Sequence, residues 1–148
     1  MSFSVVERKE TLVAGTVLRS PALAVEGARR QRVADVWKRT LERDLPGPPA
    51  TAYVDHAVEL NSYLTHIIGY RCFSAADLAP GDVLARVPAG KFAHFQATGD
   101  DMSDTIAGLW RSVWDAEANG EIVRSYTGDF ERYPNTESVE VFVALVSE

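Results

Sequence analysis

The residues best placed for chemistry lie in Tyr126-Thr127-Gly128-Asp129-Phe130-Glu131-Arg132-Tyr133-Pro134, which reads as a strand ending at a proline. Strand alternation puts Asp129, Glu131 and Tyr133 on one face, with Phe130 and Arg132 on the other. A mid-strand glutamate in water is an ordinary solvated charge, and that is the commoner case. In a pocket of aromatic rings it is a fixed anion that can hold a cation or take a proton. Other candidates are weaker. His56, His66 and His94 lack metal-ligand spacing. Asp55-His56 resembles half of a catalytic dyad, but a strand-end surface pair is the simpler reading. Asp100, Asp101 and Asp104 read as charge at a helix N-terminus. Arg29-Arg30-Gln31-Arg32 reads as a solvated helix face. No phosphate-binding loop, nucleophile elbow or dinucleotide fingerprint is present, and neither a cofactor nor a metal is expected.

The elements that must position Glu131 follow from periodicity. Residues Phe3 to Lys9 and Glu10 to Leu18 are rich in β-branched side chains and predict two strand segments. Pro21 interrupts them. A helix is predicted over 28–44, with Val33, Val36, Trp37, Thr40 and Leu41 on one stripe, stopped by Pro46-Gly47-Pro48-Pro49. Strands follow at 51–56 and 62–73, then a loop at 75–82. Further strands are predicted at 83–87 and 91–97. A second helix, capped by Asp101 or Ser103, carries Ile106, Leu109, Trp110, Val113 and Trp114 on its apolar stripe and ends at Asn119-Gly120. A long strand over 122–133, bent at Gly128, and a closing strand over 139–146 complete the chain.

The order repeats. Trp37 lies 16 residues before Tyr53, and Trp110 lies 16 before Tyr126. Val36-Trp37-Lys38 and Leu109-Trp110-Arg111 share a local pattern. The reading is one domain over 1–148, with pseudo-repeats about 1–73 and 82–148. Its class is α+β, a tandem strand–helix–strand–strand repeat. One curved antiparallel sheet carries two helices on one side, with a ligand groove between the units.

Bulk properties narrow the function classes. The 148 residues, 46% of them hydrophobic and 24% charged, suffice for one sizeable core. A net charge of −6 argues against a nucleic-acid partner. The single cysteine, Cys72, excludes an intrachain disulfide and reads as a buried thiol. No signal peptide or bilayer-spanning run is evident, so a cytoplasmic location without a membrane partner is expected.

Three motifs in order resemble the GyrI-like small-molecule-binding domain, also called the AraC-type effector-binding domain. Pro88-Ala89-Gly90-Lys91-Phe92-Ala93-His94-Phe95 matches its strand entry, Leu109-Trp110 with Trp114 its second helix, and Phe130-Glu131-Arg132-Tyr133 its "F-E-x-Y". The closing strand lacks the family's usual proline. The resemblance implies a cleft for aromatic, often cationic, compounds. It implies a buried glutamate at Glu131 and a ligand wall including Trp37 and Trp110; Tyr70, Tyr126 and Phe92 are further candidates for that wall, and the facing of Tyr53, Tyr63, Tyr70 and Tyr126 is left open. The domain also occurs alone, and this chain departs from the family's regulators in that a stand-alone member without a DNA-binding module of its own is expected.

The leading expectation is therefore a binding protein for aromatic, cationic small molecules, with a homodimer left open. Two others stand beside it. One is a hydrolase of strained cyclopropane-bearing natural products using the same cage and Glu131. The other is a protein-interaction inhibitor of the gyrase-inhibitor type. The binding reading ranks ahead of turnover, because no second catalytic group accompanies the acid.

Overall fold

The computed structural model describes residues 3–21, 27–54 and 63–147. Asp55 and His56 lie outside the described residues. In chain order the elements are β1 (Ser4–Arg8), β2 (Thr11–Pro21), α1 (Gly27–Leu41), β3 (Pro49–Val54), β4 (Tyr63–Cys72), β5 (Val83–Val87), β6 (Gly90–Thr98), α2 (Met102–Ala118), β7 (Asp129–Asn135) and β8 (Ser138–Ala144). The class is α+β: one curved, eight-stranded antiparallel sheet with two helices.

The strand order is β1-β6-β8-β7-β3-β4-β2-β5. Outward from the central β7–β3 seam, each half contributes its last two strands and then its second. The outermost strand on each side comes from the other half: β1 pairs with β6, and β5 with β2. The halves are thus joined at the seam and again at both edges. At the seam Glu131 faces Thr51, and Phe130 faces Ala52.

Alternation sorts the apolar residues into two layers. On the face away from the helices, Val13, Ala52, Ile67, Val87, Phe92, Phe130 and Phe142 form one cluster. On the helix face, Phe95, Val139, Val141 and Val143 pack against Leu109, Trp110 and Val113 of α2. The Asp101 side chain caps α2 by accepting from the Asp104 amide at 3.1 Å. Helix α1 lies against β2 and β4. It buries Val36 and Thr40, and the Thr40 hydroxyl donates to the Val36 carbonyl at 2.8 Å.

Several predicted boundaries change. The strand expected over 122–133 begins only at Asp129. Tyr126, at φ 58°, adopts the left-handed region, which breaks the extended run ahead of β7. Past Glu131, Pro134 stays within β7 because the register against β8 shifts between Arg132 and Asn135. Pro21, expected to interrupt, closes β2 opposite Tyr63.

Candidate functional site

Strand β7 sits at the middle of the sheet, so its helix-side residues lie at the deepest point of the fold. Glu131 is 1% exposed there. Its carboxylate collects three donors. The Trp110 indole Nε1 and the Tyr53 hydroxyl, the latter at 2.5 Å, donate to Oε2, and the Tyr133 hydroxyl donates to Oε1 at 2.5 Å. With the only Tyr133 hydrogen committed to Glu131, the Thr51 hydroxyl, 2.9 Å away, is left to donate to the Tyr133 oxygen. The rings form a box. Tyr53 meets Trp110 edge-on at 5.0 Å and stacks on His66 at 4.4 Å. Trp37, half-buried on α1, meets Tyr133 edge-on at 5.2 Å.

A second buried carboxylate lies two residues away, and its treatment differs. Asp129, fully buried, accepts from the Ala144 amide at 2.8 Å and pairs with Arg124 Nη2 at 2.6 Å. Among the described residues no cationic side chain pairs with Glu131. Burial pushes its carboxyl above the usual range, and the bonds from Trp110, Tyr133 and Tyr53 offset part of that rise. Burial, then the neighbouring Glu131 charge, hold both phenols well above the ordinary tyrosine range, so both remain donors. His66 is buried with neither ring nitrogen hydrogen-bonded among the described residues, and burial brings its imidazole down to about 3.

The structure brings Glu131, Trp110 and Trp37 together and places the other three expected wall residues elsewhere. Phe92 lies on the opposite face of the sheet, edge-on to Phe130 at 6.0 Å. Tyr70 packs with Leu12, Ala14 and Cys72, and its hydroxyl donates to Asp82 at 2.8 Å. Tyr126 is exposed and bonds to Glu117. Sequence reasoning left the facing of Tyr53 unassigned, gave His66 no role here, and placed Tyr133 on the Glu131 face without making it a site residue. The signal for Tyr133 was present in its two-residue spacing from Glu131.

Residues 4–145 match the family model of Cass2, described as integron-associated effector binding protein. The chain belongs to this family. No curated protein matches the sequence. Among solved structures, an integron cassette protein from the mobile metagenome of Vibrio cholerae, VCH_CASS2, superposes with a TM-score of 0.82 at 23% identity, covering 97% of this chain and 95% of that one. SAV2435 bound to tetraphenylphosphonium superposes at 0.73 with 13% identity, covering 99% and 95%. The C-terminal domain of EcmrR superposes at 0.57 with 13% identity, covering 99% and 98%. At these identities the likeness establishes the fold.

The site of this Cass2-family chain carries opposed pH dependences. The unfolded His66 imidazole charges near 6.5 and the folded one only near 3. Between those values the unfolded state takes the proton, so stability falls as pH drops, at up to about 1.4 kcal/mol per pH unit. Glu131 runs the other way. Its folded value is raised, so its contribution is full below the unfolded carboxyl pKa and is lost as pH rises through the folded value. His66→Phe keeps a ring on Tyr53 and removes the titrating nitrogens. Urea unfolding at a series of pH values should show a smaller acid loss for this variant. A curve parallel to wild type would show that His66 charges freely in the folded state.

Proposed function

We propose that this chain binds aromatic cations in the groove between α1, α2 and the sheet, with Glu131 selecting for positive charge. The carrying observation is the contrast along β7. Asp129 has Arg124 as a counter-ion, whereas Glu131 is equally buried, held by three neutral donors and paired with no cation among the described residues. A buried carboxylate in that state gains by meeting a cation. Trp37, Trp110, Tyr53 and Tyr133 offer ring faces and edges that add stacking and cation–π attraction, on the order of 1 kcal/mol per well-placed ring. Membership in an effector-binding family, the motif resemblance to GyrI-like domains, and tetraphenylphosphonium on a protein of the same fold all support this reading. Tetraphenylphosphonium is the natural first probe.

Intrinsic fluorescence provides the test. Tetraphenylphosphonium should quench the wild-type emission saturably, because Trp37 and Trp110 border the groove. The double variant Trp37→Phe, Trp110→Phe retains Trp114 and should lose most of the quenching. Quenching of equal depth and midpoint in the double variant would make both tryptophans core residues only and would remove the groove assignment.

A further inference from the structure

The opposite face of the sheet carries a cluster of charge that the groove does not use. Three rings from neighbouring strands stack there in register. His94 lies 4.5 Å from Phe142 at 8°, and Phe142 lies 4.6 Å from Phe130 at 10°. Two guanidinium groups stand over the same Phe142 ring, Arg8 at 4.7 Å and Arg132 at 5.0 Å from its centre, and Arg8 also lies 5.1 Å from the centre of Phe130. Arg71 reaches the same face from β4, its guanidinium 4.8 Å from the centre of the exposed Phe73 ring. Along the row that separates Arg132 from Arg71, the cross-strand partners are Ala50 and Gly69, which put no bulk between them.

The charges do not balance. Glu140 is the carboxylate of this cluster, and it is already shared: Arg132 Nε donates to one oxygen, and His94 Nε2 lies 3.1 Å from the other. The guanidinium groups of Arg8 and Arg71 make no hydrogen bond or ion pair among the described residues, and the Nε of each is buried without an acceptor. Buried donors without acceptors are rare in folded proteins and mark places where a partner belongs. Each of these two groups is held below the usual arginine range, first by burial and then by the charge of Arg132. In a chain of net charge −6, three clustered guanidiniums against one shared carboxylate stand out.

We propose that this face is an oxyanion-binding site in which Arg8, Arg71 and Arg132 hold a phosphate group. Guanidinium forks match the oxygens of a phosphate in geometry and charge. A dianion would accept from the two orphaned Nε–H groups and relieve the repulsion among the three cations. Glu140 sets the limit of affinity, because it competes with the anion for Arg132. The site is separate from the Glu131 groove, lying through the sheet from it.

Thermal unfolding in inorganic phosphate, with chloride at matched ionic strength as control, tests this on the full chain. The wild type should show a phosphate-specific rise in Tm of roughly 2–4 °C that levels off with concentration. The Arg71→Gln variant and the Arg8→Gln, Arg71→Gln double variant should lose it. Glu140→Gln should shift the midpoint to lower phosphate, and Glu131→Gln should leave it where it is. Phosphorus-31 line broadening, read on whichever variants fold, should follow the same order. No phosphate-specific rise, or an equal rise in Arg71→Gln, overturns the proposal. A midpoint moved to lower phosphate in Glu131→Gln would place the anion beside that carboxylate, in the groove, and overturns it as well.

Discussion

Replacing Asp129 with asparagine is expected to cost about 3–5 kcal/mol of folding stability, the scale of a buried ion pair broken from one side. The side chain is fully buried, and Arg124 is 7% exposed. Asparagine can still accept from the Ala144 amide, so the link from β7 to the end of β8 survives. What is lost is the counter-charge of Arg124. Glu117, 3.8 Å from Arg124, compensates in part, which places the expected value toward the lower end. Removing both charges, as Arg124→Met with Asp129→Asn, should recover a large share of the loss, because no uncompensated ion then remains. Urea unfolding of the two single variants and the double variant gives the coupling directly. A loss below about 1 kcal/mol for Asp129→Asn would mean that water reaches the pair and screens it.

Glu131→Gln should behave in the opposite way. Here the wild-type carboxyl already bears the burial cost without a cation, so the fold should survive near neutral pH with its stability unchanged or slightly raised. The amide oxygen can accept from Trp110 and Tyr53, and its NH2 can turn toward the Tyr133 oxygen. The effect belongs to binding. An aromatic cation should lose about 1.5–3 kcal/mol, roughly 10–150-fold in affinity, which is the scale of one charge contact in a partly desolvated site. Failure to fold would instead make Glu131 a structural residue.

The fold was largely legible, because period-2 and period-3.6 patterns are local. The first helix was expected to end at Asp44 and ends at Leu41, and the strands over 83–87 and 91–97 fall within a residue or so of their observed bounds. The exchange of β1 and β5 between halves was not legible. Which strand lies beside which is decided by long-range pairing, and nothing in the local alternation of Ser4–Arg8 names Gly90–Thr98 as its partner. The strand over 122–133 was overextended for the same reason. Ile122 and Val123 look like strand residues, but the left-handed backbone at Tyr126 is a tertiary outcome on a residue type that seldom adopts it.

The candidate site divides along the same line. Alternation put Glu131 and Tyr133 on one face, as the structure has them. It could not say which face of β6 meets the helices, since Phe92 and Phe95 are both buried, one in each layer. Tyr70 shares a face with His66 but sits four residues farther along β4, beyond the box. Trp110 satisfied the helix stripe as a core residue. That its indole N–H points at a carboxylate could emerge only once α2 was docked on the sheet.

The central claim is that Glu131 selects charge while the rings supply the remaining affinity. Calorimetric titration of tetraphenylphosphonium and the neutral triphenylphosphine oxide against wild type and Glu131→Gln tests it most directly. The account predicts that the wild type prefers the cation and that Glu131→Gln loses most of that preference, with the neutral ligand changing by less than about threefold, because stacking needs no carboxylate. Equal losses for the two ligands, or an undiminished preference for the cation in the variant, would contradict it.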